Sequence, residues 1–113
     1  MAKPTPPLEK EEDAMCAQLW TLAGFTVISF SQAQKTQQTR GIADQMVLDN
    51  RSLMWMWFEV KRQKGPEWGY VRSEQSPHQQ WFQMRVEQQG HRYEIGSRHR
   101  VAEILSEMGR VTL

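Results

Sequence analysis

The sequence predicts a single α/β domain whose elements run α-β-β-β-α-β-α. Three observations carry that reading. Short β-branched or aromatic runs, "FTVISF" (Phe25–Phe30) and "LMWMWFEVK" (Leu53–Lys61), alternate with stretches of helical period. Gly24, Gly90 and Gly109 each stand just past a helical stretch, where a helix stops. With 113 residues, 39% apolar and 24% charged, the chain is long enough for one modest core and too apolar to stay disordered.

The elements follow in order. Met1–Pro7 ("MAKPTPP") is expected to be a flexible N-terminal arm, leaving residues 8–113 as the domain. Leu8–Ala23 reads as a helix, with Met15, Leu19, Leu22 and Ala23 at three- and four-residue spacing. Glu and Asp crowd its first turn, where the helix dipole favours them. Phe25–Phe30 is a strand and Ser31–Arg40 a polar loop. Ala43–Leu48 is a second strand, joined by a turn at Asp49–Ser52 to a third, Leu53–Lys61. The apolar run in that third strand predicts a central position, buried on both faces. Arg62–Gln75 reads as a long loop. Ser76-Pro77 is a strong helix start, with Ser as N-cap and Pro at the first helical position. That helix stops at Gly90, His91–Ile95 is a fourth strand, and Val101–Met108 a last helix.

Composition removes several functions. A lone cysteine, Cys16, allows neither an internal disulfide nor a CxxC zinc site, and fits a reducing, cytoplasmic setting. No secretory leader is read in Met1–Pro7, and no apolar run is long enough to cross a membrane. A net charge of +1 says little about partners, although basic residues lead from Arg40 onward.

The informative stretch is the end of the third strand. Side chains alternate on a strand, so Glu59 and Lys61 share a face and Val60 points away. Alone, Glu-x-Lys is most often a surface ion pair. The preceding hairpin changes that, because it brings Asp44 close to Glu59. Two carboxylates at close range repel unless a cation lies between them. Oxygen ligands without nearby His or Cys suit Mg²⁺ or Mn²⁺ better than Zn²⁺.

Four motifs, "RGIAD" (Arg40–Asp44), "FEVK" (Phe58–Lys61), "SPHQ" (Ser76–Gln79) and "QGHRY" (Gln89–Tyr93), resemble in order and spacing those of the VRR-NUC (virus-type replication-repair nuclease) domain of the PD-(D/E)XK superfamily. The resemblance covers about residues 8–108. One departure is Ala43, where the family usually has Pro. The resemblance implies a restriction-endonuclease-like core with a mixed central sheet of about four strands, flanked by helices. It implies that Asp44, Glu59 and the Val60 carbonyl hold Mg²⁺ (Mn²⁺ substituting), and that Lys61 holds the attacking water or scissile phosphate. Gln79 would orient Lys61, with Gln80 as the alternative. Glu12 on the first helix would complete the site, with Glu11 as the alternative. The implied activity is metal-dependent cleavage of DNA, selective for branched forms such as four-way (Holliday) junctions, by a homodimer of a phage or bacterial DNA-repair enzyme.

Other residues keep two readings. Arg40, Arg62 and Lys64 are phosphate contacts or ordinary surface charge. Trp68 is a base-stacking wedge, or else a loop anchor or dimer contact. Trp55 and Trp57 read as core or dimer interface. Arg98-His99-Arg100 is a phosphate site at a helix start, or solvated surface. His78, His91 and His99 lack metal-ligand spacing, and Cys16 reads as a small buried residue. A rival function remains: an inactive DNA-binding or assembly protein that keeps the nuclease fold.

Overall fold

The computed structural model describes residues 8–30, 41–64, 70–71 and 75–110. Three helices and six strands appear among them: α1 (Glu9–Leu22), β1 (Phe25–Ser29), β2 (Gln45–Asp49), β3 (Trp55–Val60), β4 (Gln63–Lys64), β5 (Tyr70–Val71), α2 (Pro77–Gln88), β6 (Arg92–Gly96) and α3 (Arg98–Glu107). The predicted arm at residues 1–7 and the polar loop at 31–40 lie outside the described residues. Where a plain loop was expected after β3, β4 and β5 pair as a small antiparallel ladder. A two-residue strand is too short to leave a periodic pattern in sequence. The last helix also starts earlier than expected, at Arg98, because Ser97 caps it through a bond from His99 N.

The main sheet runs β1-β2-β3-β6, antiparallel except for the parallel β3–β6 pair, and is therefore mixed as expected. Antiparallel neighbours need only a tight turn, which Asp49 builds. Its carboxylate accepts from Arg51 N at 3.0 Å and from Ser52 Oγ at 2.9 Å, closing the β2–β3 hairpin. Parallel strands need a crossover, and α2 supplies it between β3 and β6.

The sheet has helices on both faces. On one, Phe25, Val47, Met56, Phe58 and Val60 pack with Cys16 and Trp20 of α1 and with Val101, Ile104 and Leu105 of α3. On the other, Trp57 and Ile95 pack with Ala43, Val86, Phe82 and Tyr93 under α2. Period-two alternation in β3 sends Met56, Phe58 and Val60 to the first face and Trp57 to the second. β3 is central, as its apolar run predicts, but Leu53 and Met54 lie in the hairpin turn, exposed at 99% and 43%. Trp57 meets Phe82 edge-on at 5.1 Å between centroids, while Trp55 lies tilted against His91 at 4.4 Å. Among the described residues, no helix is long and apolar enough to cross a membrane.

Candidate active site

The hairpin register sets the site. Gln45 pairs with Phe58, so one further step along the ladder puts Asp44 opposite Glu59. Asp44 Oδ2 accepts from Val60 N at 2.7 Å, and Phe30 N donates to the Asp44 carbonyl at 2.8 Å. The chain enters this corner through Gly41 at φ +80°. A Cβ there would sit 2.2 Å from the His78 carbonyl oxygen, so only glycine lets this segment press against the first turn of α2. The sequence "RGIAD" is thereby tied to "SPHQ".

Local chemistry in α2 then reaches the lysine. Ser76 Oγ accepts from Gln79 N at 3.2 Å, and Gln79 Oε1 accepts from Ser76 N at 2.9 Å, a complete capping box. The same Oε1 accepts from Lys61 Nζ at 3.3 Å. One amide oxygen therefore closes the helix start and positions the ammonium. Gln80 is exposed, and its amide reaches the Gln75 carbonyl instead, at 3.5 Å. Of the two glutamines considered from sequence, Gln79 is the one at Lys61.

Lys61 Nζ lies 3.1 Å from Glu59 Oε2, and both side chains are buried. The two oxygens of Glu59 are treated differently. Oε1 accepts from Gln75 Nε2 at 2.9 Å and from Tyr93 OH. Oε2 is buried and faces the Lys61 ammonium, its ion-pair partner. Burial pushes the Asp44 carboxyl up to about 7. The bond from Val60 N opposes that rise, and repulsion from Glu9, Asp13 and Glu59 adds to it.

These features fit a hard divalent cation. A half-buried carboxylate, Asp44, and a buried one, Glu59, converge, and the first is discouraged from ionising alone. The available donors are all oxygens. Among the described residues, no three Asp, Glu, His or Cys side chains gather as a metal-binding group, so the cation would rest on two carboxylates and backbone oxygen.

Glu12 faces inward and is fully buried, but both its oxygens go to Arg98: Oε1 to the backbone N at 2.7 Å and Oε2 to Nη1 at 2.9 Å. Glu11 is exposed. The α1 acids whose charge acts on Asp44 are Glu9 and Asp13, on a neighbouring stripe of the helix. Glu12 also fills the start of α3, the place where Arg98-His99-Arg100 was considered for phosphate. Arg62 is half-buried, Arg40 and Trp68 lie outside the described residues, and so does the side chain of Lys64. Sequence reasoning missed Tyr93 and Gln75 as neighbours of Glu59. The parallel register, Trp57 with Tyr93, puts Tyr93 on the face of Glu59, but that register was not readable before the sheet order was known.

No family model matches the chain, and no curated protein matches it either. A solved structure described as a VRR-NUC domain superimposes with a TM-score of 0.62 at 19% identity, over 87% of this chain and 94% of that one. Likeness at that identity speaks of architecture, and it covers nearly all of both chains. The chain has the fold of a VRR-NUC domain.

Proposed function

We propose that the protein is a metal-dependent DNA endonuclease that hydrolyses phosphodiester bonds. The observation that carries this is the convergence of Asp44, Glu59, Lys61 and Gln79 at one corner of the sheet, with a buried Glu59–Lys61 ion pair beside an aspartate that burial disfavours as an ion. Asp44, Glu59 and the Val60 carbonyl would hold Mg²⁺ or Mn²⁺. When bound, the cation supplies a more acidic water and a clamp on phosphate oxygens. Lys61 holds the scissile phosphate or the attacking water, and its charge offsets the negative charge that grows in the transition state. Gln79 keeps the ammonium aimed at that point. Gly41 holds the Asp44 segment against α2, so the groups meet without rearrangement.

Branched DNA is the proposed substrate and a homodimer the proposed state. A two-fold dimer would set two such corners on two strands of a four-way junction. Ile28 on β1 and Leu53 and Met54 in the β2–β3 turn are exposed apolar groups that a second copy would cover. An open groove of about 530 Å³, lined by Gln75, Gln80, Gln83, Met84, Glu87 and Gln88, adjoins the corner through Gln75 and would take a strand leaving the site.

The test is cleavage of labelled four-way junction, flap, splayed-arm and plain duplex DNA with Mg²⁺ or Mn²⁺, comparing wild type with Lys61→Ala. Metal-dependent cutting of branched DNA that the variant loses is the expected result. Binding of the same DNAs with no cutting by wild type would move the assignment to the inactive binder, and neither cutting nor binding would remove the nuclease reading.

A further inference from the structure

Glu59 is held by two groups to which the sequence reading gave no role, Tyr93 at the end of "QGHRY" and Gln75 just before "SPHQ". Tyr93 OH and Gln75 Nε2 both donate to Oε1, the latter at 2.9 Å. Gln75 is itself fixed, because Nε2 also donates to Gln83 Oε1 of α2 at 3.0 Å. Tyr93 is fixed on β6, next to β3, and packs against Phe82 at 6.2 Å between ring centroids.

The consequence is an asymmetric carboxylate. A free carboxylate offers two equivalent oxygens and can swivel to bind a cation through one or both. Here Oε1 is taken by two neutral donors, whereas Oε2 is turned to Lys61, its ion-pair partner at 3.1 Å. A carboxylate oxygen has room for more than one partner, so Oε2 can meet a cation beside the ammonium. Resting on the nuclease reading above, we infer that Tyr93 and Gln75 are positioning residues that lock Glu59 through Oε1 and present Oε2 alone to the divalent cation. The locking is provided from both sides of the crossover: β6 holds one donor and the lead-in to α2 holds the other. The cation site is therefore built before the cation arrives, and Gln83 takes part through Gln75.

Groups that orient a metal ligand characteristically change metal affinity by about 10- to 100-fold when removed. The test is calorimetric titration of Mn²⁺ into the full-length protein without DNA at pH 8, for wild type, Tyr93→Phe and Gln75→Ala, with metal-free melting of each. Weakening of Mn²⁺ binding by about tenfold in either variant is expected. A role confined to stability would lower metal-free melting and leave the Mn²⁺ affinity alone. Wild-type affinity in both variants overturns the inference, whatever happens to their melting, and leaves the nuclease reading standing. If Tyr93→Phe does not fold, Gln75→Ala decides by the same criterion. Absence of Mn²⁺ binding by the wild type overturns the inference together with the nuclease reading.

Discussion

Strand β2 is flanked by two aspartates, and the chain treats them in opposite ways. Asp49, at its end, is closed on every side. Arg110 donates Nη1 to Oδ1 at 2.8 Å and Nη2 to Oδ2, with Arg51 N and Ser52 Oγ adding two more bonds. Hydrogen bonding to that guanidinium pulls the carboxyl down to about 2, against the effect of burial. Asp44, just before the strand, is pushed up to about 7 by burial, and Val60 N provides a bond that only partly offsets it. The planar fork of Arg meets both oxygens of Asp49, whereas the compact ammonium of Lys61 meets Glu59 through Oε2 alone. A structural acid is satisfied by the fold. Asp44, proposed above as a cation ligand, is instead held as an ion at a cost to the fold.

The widest separation should come from chemistry. Lys61→Ala should lower cutting of branched DNA by on the order of a hundredfold or more, since it removes a charge that acts in the transition state. Asp49→Asn should leave cutting rates unchanged in the same assay and lower the melting temperature by roughly 5 °C. Stability should move the other way at the opposite aspartate. Asp44→Asn removes a charge that the site disfavours and should stabilise the metal-free protein at pH 8 by about 2 kcal/mol, half of what the full pKa rise would give, since solvent and chain relax around the charge. Chemical denaturation reads this directly, and a loss of stability would contradict it.

pH sharpens the same contrast. Asp44 has a folded value above its unfolded one, so its ionisation opposes folding. The penalty is absent below about pH 4, grows as pH rises, and is complete above about 7. Asp49 has a folded value below its unfolded one, so the stability it contributes is complete above about pH 4 and is lost as pH falls through about 2. Metal-free stability attributable to these two groups should therefore be greatest near pH 4 and decline toward pH 8, and Asp44→Asn should flatten the decline. Melting across that range checks it. The smallest effect concerns α2: Gln79→Ala should weaken cutting by about tenfold through loss of lysine positioning and of a cap, while Gln80→Ala should change it by less than about twofold.

Much of the fold was legible because its signals are local. Ser76-Pro77 and Gln79 mark a helix start by cap chemistry, and the alternation in "WMWFEV" marks a half-and-half strand. Asp44, Glu59 and Lys61 were legible together because a tight hairpin and strand alternation fix a register, whereas Gln79 entered through the resemblance that "SPHQ" carries. Tyr93 and Gln75 were not, because their link to Glu59 depends on a parallel pairing across a crossover helix. The environment of Glu12 was hidden for a similar reason: its inward face was readable from helical spacing, but Arg98 is its partner across 86 residues of sequence. The β4–β5 ladder left no signal at all, since two residues cannot establish a period.

The most direct measurement is the melting temperature of wild type and Asp44→Asn at pH 8, each with and without Mg²⁺ or Mn²⁺. Asp44→Asn should melt higher than wild type without metal. With metal, wild type should rise by several degrees at concentrations well above its Kd, and Asp44→Asn should not. Equal metal-induced rises in the two proteins, or a lower metal-free melting temperature in Asp44→Asn, would contradict the account of this corner as a cation site in which the fold holds Asp44 at a cost.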